Sequence, residues 1–587
     1  MPSHTDNTMK RVKARGSLIA LVFAMGFLVI ALQAVSLQVF KQGGLSRKAE
    51  VRFGRSDTVT GKRGTISDRH GRPLAVSIAA KAIGVYPRKA ATIKNVPKAA
   101  RQIASLLKID ARKVERALQH PKYNWIKRPV PPEMGAAVAA LKIPGVEVHP
   151  FHKRVYPSME LAGQLIGASK IDDIGGRNGL EYRYNDILSP TTANRTVKWD
   201  GNGNPVDVSS APLDEISGSN LVLTIDANIQ DIAESALKEA AVTHKASSGM
   251  AVVMRPKTGE ILAMANYPGF NPNNFGAFSG ETRSNRAVAA GFEPGSTMKV
   301  FVVASALDSG KVKQSSIFYC ENGAYDIGGF TFHDTHEYEW LTLEQVIKFS
   351  SNIAVVKISE IIGKKALHNA LKDFGFGQRS GINLNGESKG ILTSPSNWNM
   401  VETGAIAFGQ GVSVTALQLA TAYSALANDG MLVKPWIVKE VVSPNGEREK
   451  TFSSPGEKRV ISPETARFVK KIMASVTEEG GTGVRAALSD YTVCGKTGTA
   501  QKIGPNKRYF KDRYIASFAG FVPMNNPELS IVVVLDDPRS GGYYGATVAG
   551  PAFREIAYKT LDYLHVAPEN ESIPEKLLLA LKSEEKK

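Results

Sequence analysis

The stretch Glu293-Pro294-Gly295-Ser296-Thr297-Met298-Lys299 sets a hydroxyl one helical turn ahead of a lysine, and the lysine runs directly into Val300-Phe301-Val302-Val303-Ala304. Residues three apart share a helix face, and Pro-Gly just ahead suits a turn that feeds a helix start. The spacing therefore predicts that Ser296 and Lys299 point the same way from the first turn of a buried helix. An ammonium among those valines is costly unless it is paired. It must find polar partners or lose its proton, because burial lowers a lysine pKa. A neutral amine beside a serine is a general base beside a nucleophile.

Ser-x-x-Lys alone also describes a helix cap followed by a surface lysine, so its meaning depends on the rest of the chain. Ser350-Ser351-Asn352 follows the helical pattern Leu343 to Phe349 and places a hydroxyl and an amide two residues apart in a turn. Lys496-Thr497-Gly498-Thr499 follows the strand-like Tyr491-Thr492-Val493-Cys494-Gly495. Gly498 is expected to let a ligand approach the backbone. A second Lys-Thr-Gly, Lys257-Thr258-Gly259, lies between the apolar runs Met250–Met254 and Ile261–Ala265 and reads as a hairpin turn.

The order Ser-x-x-Lys, Ser-x-Asn, Lys-Thr-Gly resembles the set found in penicillin-binding proteins and serine β-lactamases. The chain is most similar to class B penicillin-binding proteins, and among them to the division-specific transpeptidases of the FtsI type. Further stretches carry that likeness: Arg63-Gly64-Thr65-Ile66-Ser67-Asp68-Arg69, Arg154-Val155-Tyr156-Pro157, Gly176 to Glu181, Thr224-Ile225-Asp226 to Ile229-Gln230, and Phe408-Gly409-Gln410-Gly411 to Gln418. Two positions depart from it, since relatives often carry Asn where His70 stands and Gly where Ser158 stands. The region before residue 220 shows no glycosyltransferase-like acidic motif, which argues against a bifunctional class A enzyme.

From these residues the expected chemistry is acyl transfer. Ser296 attacks a peptide carbonyl and Lys299 takes its proton, although Lys496 is not excluded as the base. Ser350 and Asn352 relay the proton and hold the donor backbone. Lys496 supplies positive charge and helps hold a substrate carboxylate. The N–H groups of Ser296 and Thr499 form an oxyanion hole, and Thr497, Gly498 and Thr499 bind substrate. The resemblance implies stem peptides ending in D-Ala-D-Ala as donors, β-lactams as their mimics, septal cell-wall synthesis, and an FtsW-type glycosyltransferase among division proteins as partner. It implies no cofactor. Rival readings are an elongation-type transpeptidase, a D,D-carboxypeptidase or β-lactamase-type hydrolase, and a non-catalytic division scaffold. The hydrolase needs a group that activates water, and no Glu-x-x-x-Asn-type box appears. The scaffold reading conflicts with the presence of every motif residue.

Composition sets the surroundings. Ser17 to Val39 is almost wholly uncharged and long enough to cross a bilayer. Lys10, Arg11, Lys13 and Arg15 precede it, which predicts a cytoplasmic N-terminus, an uncleaved single-pass anchor in the cytoplasmic membrane and a periplasmic catalytic domain. Residues 1–220 hold 34 Lys+Arg against 17 Asp+Glu, so nearly all of the net charge of +18 lies near the membrane. That excess fits anionic headgroups or acidic wall polymers better than nucleic acid, for which no motif is present. Two cysteines, Cys320 and Cys494, exclude a disulfide framework and a cysteine zinc cluster, and are expected to be free thiols. His333-Asp334-Thr335-His336 lacks a third ligand cluster, so no metal is expected.

The fold class expected is α+β: an antiparallel sheet with helices packed on it, a mixed α/β pedestal and one transmembrane helix. Strand-like runs at both ends (250–255, 260–265, 516–522, 529–535) flank a mainly helical middle. Ala227–Ala240 and Ala552–Leu564 read as helices, as does the periodic stretch Lys98–Leu118. The expected divisions are a tail over 1–16, the anchor over 17–39, the pedestal over 40–220, the transpeptidase domain over 221–566 and a mobile tail over 567–587.

Overall fold

In Leu529-Ser530-Ile531-Val532-Val533-Val534-Leu535 successive side chains serve two different cores. Val532 and Val534 join one, and Ile531, Val533 and Leu535 join the other. A strand apolar on both faces must be covered on both, and it therefore lies inside a sheet rather than at its edge. The computed structural model describes residues 4–40, 54–170, 175–199, 205–209, 213–454, 456–504, 506 and 508–569. In it that strand, Leu529–Asp536, is the centre of a five-stranded antiparallel sheet. The order across the sheet is Ile261–Tyr267, Ser248–Met254, Leu529–Asp536, Tyr509–Val522 and Cys494–Ile503. Helices Ala227–Thr243 and Gly550–Tyr563 cover one face. Helix Ala416–Ala427 lies on the other, within a second helical layer that includes Lys299–Asp308.

These elements match the expected pattern, with two informative differences. The strand expected over 516–522 begins at Tyr509, because its first residues form a largely exposed hairpin with no apolar signal. The stretch 98–118 is two helices, Val96–Leu107 and Ala111–Leu118. Lys108 takes a left-handed conformation (φ 52°), and the Asp110 side chain accepts from Arg112 N at 2.9 Å to start the second helix. Lys257-Thr258-Gly259 is the expected turn: Gly259 N donates to Arg255 O at 2.9 Å.

Residues 62–190 and 217–587 make one compact unit. Its other large sheet runs Arg448–Thr451, Val438–Val442, Asn220–Leu223, Ile66–Ser67, Pro73–Val85 and Asn124–Val130, with Val146–Val155 also paired to Pro73–Val85. Three of the stretches that carry the family likeness converge on Glu181. Arg63 Nε donates to Glu181 Oε2 at 2.6 Å, Arg154 Nε to Glu181 Oε1 at 2.7 Å, and Tyr156 OH to Glu181 Oε1 at 3.1 Å. Burial pushes the Glu181 carboxyl pKa up, but Arg154 and Arg63 outweigh it and hold it below the ordinary range.

Residues 1–61 and 191–216 form a second unit. It holds the helix His4–Val35, continued as a wider turn over Ser36–Phe40, and a three-stranded antiparallel sheet of Gly54–Thr60, Thr192–Trp199 and Pro205–Ser209. Among the described residues, Met9–Gln38 is the one helical stretch long and apolar enough to cross a bilayer. The tail expected to be mobile lies outside the described residues from 570 onward.

Candidate active site

A tight helical turn, Gly295–Met298, hands over to the helix Lys299–Asp308. Gly295 begins it with φ +55°, a conformation a side chain would strain. Two hydrogen bonds fix the turn: Thr297 Oγ1 donates to Pro294 O at 2.8 Å, and the buried Tyr423 OH donates to Thr297 O at 3.0 Å. Ser296 is half-buried and lines a cavity of about 640 Å³. Its hydroxyl makes no hydrogen bond among the described residues.

Lys299 is fully buried and finds the partners its position demands. Nζ donates to Ser350 O at 2.5 Å, to Ser350 Oγ at 3.1 Å and to Asn352 Oδ1 at 2.6 Å. Three acceptors suit an ammonium, whereas burial disfavours one. Burial dominates and pulls the pKa down to about 7, with the Asp334 carboxylate resisting. The amine therefore gains and loses its proton near neutrality.

Ser350 meets Lys299 through a backbone device. It stands between the helices Leu343–Lys348 and Asn352–Ile362 with φ 62°, a left-handed conformation uncommon outside glycine. The carbonyl and the hydroxyl of one residue thereby reach the same amine. Strain of this kind persists where the surroundings fix it, and here Asp334 contributes. Its carboxylate accepts from Ser351 Oγ at 2.6 Å, from Ile353 N at 3.1 Å and from Asn352 N. Asn352 Nδ2 donates to His333 O at 2.8 Å. Asp334, between the two histidines weighed as a metal pair, thus holds the start of the Asn352 helix, and sequence reading missed that role because an isolated aspartate carries no local signal for a distant helix. Replacing Asp334 with alanine should lower stability by about 1–2 kcal/mol, the loss of a helix cap, read as a lower urea midpoint of the full-length protein.

The third motif arrives on the edge strand Cys494–Ile503. Thr497 and Thr499 line the cavity. Lys496 is buried behind them, with contacts of 3.4 Å to Thr497 O and Oγ1. Burial first and the nearby Lys299 second push the Lys496 pKa well below its ordinary value. The environment thus disfavours the positive charge expected of it. Gly498 also differs from expectation: the room a side chain would need is taken by Ser517 Oγ (2.3 Å) and Pro294 O (2.8 Å). The glycine lets the strand pack against the Ser296 turn rather than keeping space for a ligand. Thr499 Oγ1 accepts from Gly545 N at 3.1 Å.

Sequence reading assigned no role to the rest of the wall. Tyr514, Tyr543 and Tyr544 stack in series at 4.0 and 4.5 Å, and Phe408 and Gln410 enter from the loop after helix Met400–Ala407. Cys320 and Cys494 are buried free thiols.

Comparison with known proteins gives the family of the chain. Residues 249–558 match the penicillin binding protein transpeptidase domain, and residues 58–223 match the penicillin-binding protein dimerisation domain. The chain is similar to the peptidoglycan D,D-transpeptidase FtsI of Escherichia coli, with 35% identity over 558 residues covering 94% of this chain and 91% of the relative. It is also similar to the probable peptidoglycan D,D-transpeptidase PenA of Neisseria meningitidis, at 34% identity over 94% and 93% of the two chains. The crystal structure of penicillin binding protein 3 from Mycobacterium tuberculosis complexed with aztreonam is similar with a TM-score of 0.68 and 29% identity, over 88% of this chain and 98% of that one.

Proposed function

The chain belongs to the penicillin-binding protein transpeptidases, the peptidoglycan D,D-transpeptidases, and we propose that it cross-links stem peptides through an acyl-enzyme on Ser296 during septal wall synthesis. The observation that carries the site assignment is the buried Lys299 amine, bonded to Ser350 and Asn352 one turn from a serine that opens on the cavity. Lys299 in its neutral form takes the Ser296 proton as the hydroxyl attacks the donor carbonyl. Ser350 Oγ, already 3.1 Å from Nζ, relays that proton to the leaving D-Ala amine. The acyl group then passes to an amine of a second stem peptide.

The oxyanion hole in this reading uses the N–H groups of Ser296 and Thr499. Thr499 O lies 3.0 Å from where a Cβ on Gly295 would stand, and the N–H and C=O of one strand residue leave the same edge. A substrate carboxylate entering beside Thr497 and Thr499 would favour the protonated form of Lys496, so its charge comes with the ligand. The tyrosine ladder and Phe408 give the cavity beside Ser296 an aromatic wall. Residues 40–220 form the pedestal and residues 221–566 the reacting domain, and the basic N-terminus stays in the cytoplasm, with an FtsW-type glycosyltransferase as the membrane partner.

The test is covalent labelling with a fluorescent penicillin. The wild-type protein should take one label that persists for many minutes, and Ser296→Ala should take none. Release within seconds identifies a hydrolase, and labelling of the Ser296→Ala protein places the nucleophile elsewhere. Imaged in dividing cells, the label should sit at the septum, and a uniform side-wall signal would favour the elongation-type reading.

A further inference from the structure

We propose that Glu293 is the positioning residue that locks one wall of the cavity to the nucleophile turn. It stands three residues before Ser296, where two chain segments approach in antiparallel fashion. Phe292 and Val414 exchange both backbone hydrogen bonds at 2.9 Å, and Gly295 N donates to Gly409 O at 3.2 Å. Between these anchor points residues 293–294 face residues 410–413, so the second segment bulges and its Gly411 N–H lies off the ladder. Glu293 Oε1 accepts that N–H at 2.8 Å.

The same oxygen accepts the hydroxyl of Tyr509 at 3.1 Å. Tyr509 opens the strand Tyr509–Val522 and pairs with Ile503, at the far end of the Lys496 strand. One carboxylate oxygen therefore joins three segments: the turn of Ser296, the loop that delivers Phe408 and Gln410 to the cavity, and the hairpin of the third motif. The carboxylate is buried and no cation pairs with it among the described residues. A buried charge held only by two donors is an expensive way to stabilise a fold. It is well suited to fixing geometry, because a single oxygen holds one donor from each of two other segments, at 2.8 and 3.1 Å. Burial raises the carboxyl pKa, and the hydrogen bonds from Gly411 and Tyr509 work against that rise.

This inference rests on the acyl-enzyme reading above. Its test is stopped-flow acylation of the full-length protein by a fluorescent penicillin at increasing concentration, which separates the first-order acylation constant from the initial binding constant. Glu293→Ala should slow acylation by about ten- to a hundredfold, the scale of a displaced reacting geometry, with little change in initial binding. Glu293→Gln keeps an oxygen for both donors and should stay within about threefold of wild type. Tyr509→Phe removes one hydroxyl from a partly exposed side chain and should cause a smaller loss. The double variant Glu293→Ala with Tyr509→Phe should be no slower than Glu293→Ala alone. A purely structural role would lower the melting temperature or the labelled fraction while folded molecules acylate at the wild-type rate, and that result overturns the proposal. So do a glutamine variant as slow as alanine, and additive losses in the double variant. An unlabelled wild-type protein overturns both readings, whereas a labelled wild type with an unaffected Glu293→Ala overturns this one alone.

Discussion

Lys299→Met should slow penicillin acylation by about a thousandfold, the middle of the range that a positioned general base contributes. The side chain keeps its length and loses its nitrogen, so the cavity stays filled while the proton acceptor disappears. The stability of the same variant carries a second signature. The folded pKa of about 7 lies below the ordinary lysine value of 10.5, so between them the unfolded chain holds more protons than the folded one. Stability of the wild type therefore rises with pH across that window, and the Lys299 contribution to the slope is about 1.4 kcal/mol per pH unit. Methionine removes it. The difference in unfolding free energy between wild type and variant, followed from pH 7 to pH 10, should change in the wild type's favour as pH rises. Comparing the two proteins cancels most of the parallel term from Lys496. Normal acylation by the variant would end the general-base assignment. A pH-independent difference would show that the amine is not desolvated as the structure has it.

Glu181→Ala should have the largest effect on stability, a loss of about 3–5 kcal/mol, because it leaves two buried guanidiniums facing each other without their anion. Arg63 and the Glu181 side chain are fully buried, and Arg154 nearly so. The glutamate pKa is held below its ordinary value, so its contribution is complete above the unfolded carboxylate pKa and fades as pH falls through the folded one. The urea midpoint of the full-length protein measures it. Replacing all three charges together with apolar side chains should recover most of the loss, since the cost belongs to the unpaired ions rather than to the missing salt bridge. A Glu181→Ala midpoint close to wild type would remove the triad as a support of this region.

What the sequence revealed followed the range over which its signals act. The turn of Ser296 and the buried helix that Lys299 opens were legible because their signals are local, and the Lys496 strand was legible from its apolar lead-in. The apolar run 529–535 was enough to mark a strand, but its place at the centre of the sheet came only with its neighbours. The convergence of Arg63, Arg154 and Glu181 was not legible, because each looks like turn chemistry until the chain brings them together. Asp334 and Glu293 escaped for the same reason: a carboxylate that caps a helix or a bulge elsewhere leaves no periodic trace in its own neighbourhood. The lowered proton affinity of Lys496 comes first from burial in the tertiary structure and then from Lys299, far away in the chain, and no local window contains either.

The strand order has a consequence for how the molecule is made. Val252 pairs with Val532, and the hairpin that contains Val252 is synthesised long before its neighbour exists. Closing so long a loop carries an entropic cost that must be met before any native contact rewards it, which slows folding. Until the last part of the chain emerges, Ser248–Met254 presents a bare apolar edge on which another nascent chain can assemble. The burden on whatever escorts this polypeptide as it folds therefore falls on an early hairpin waiting for a late partner.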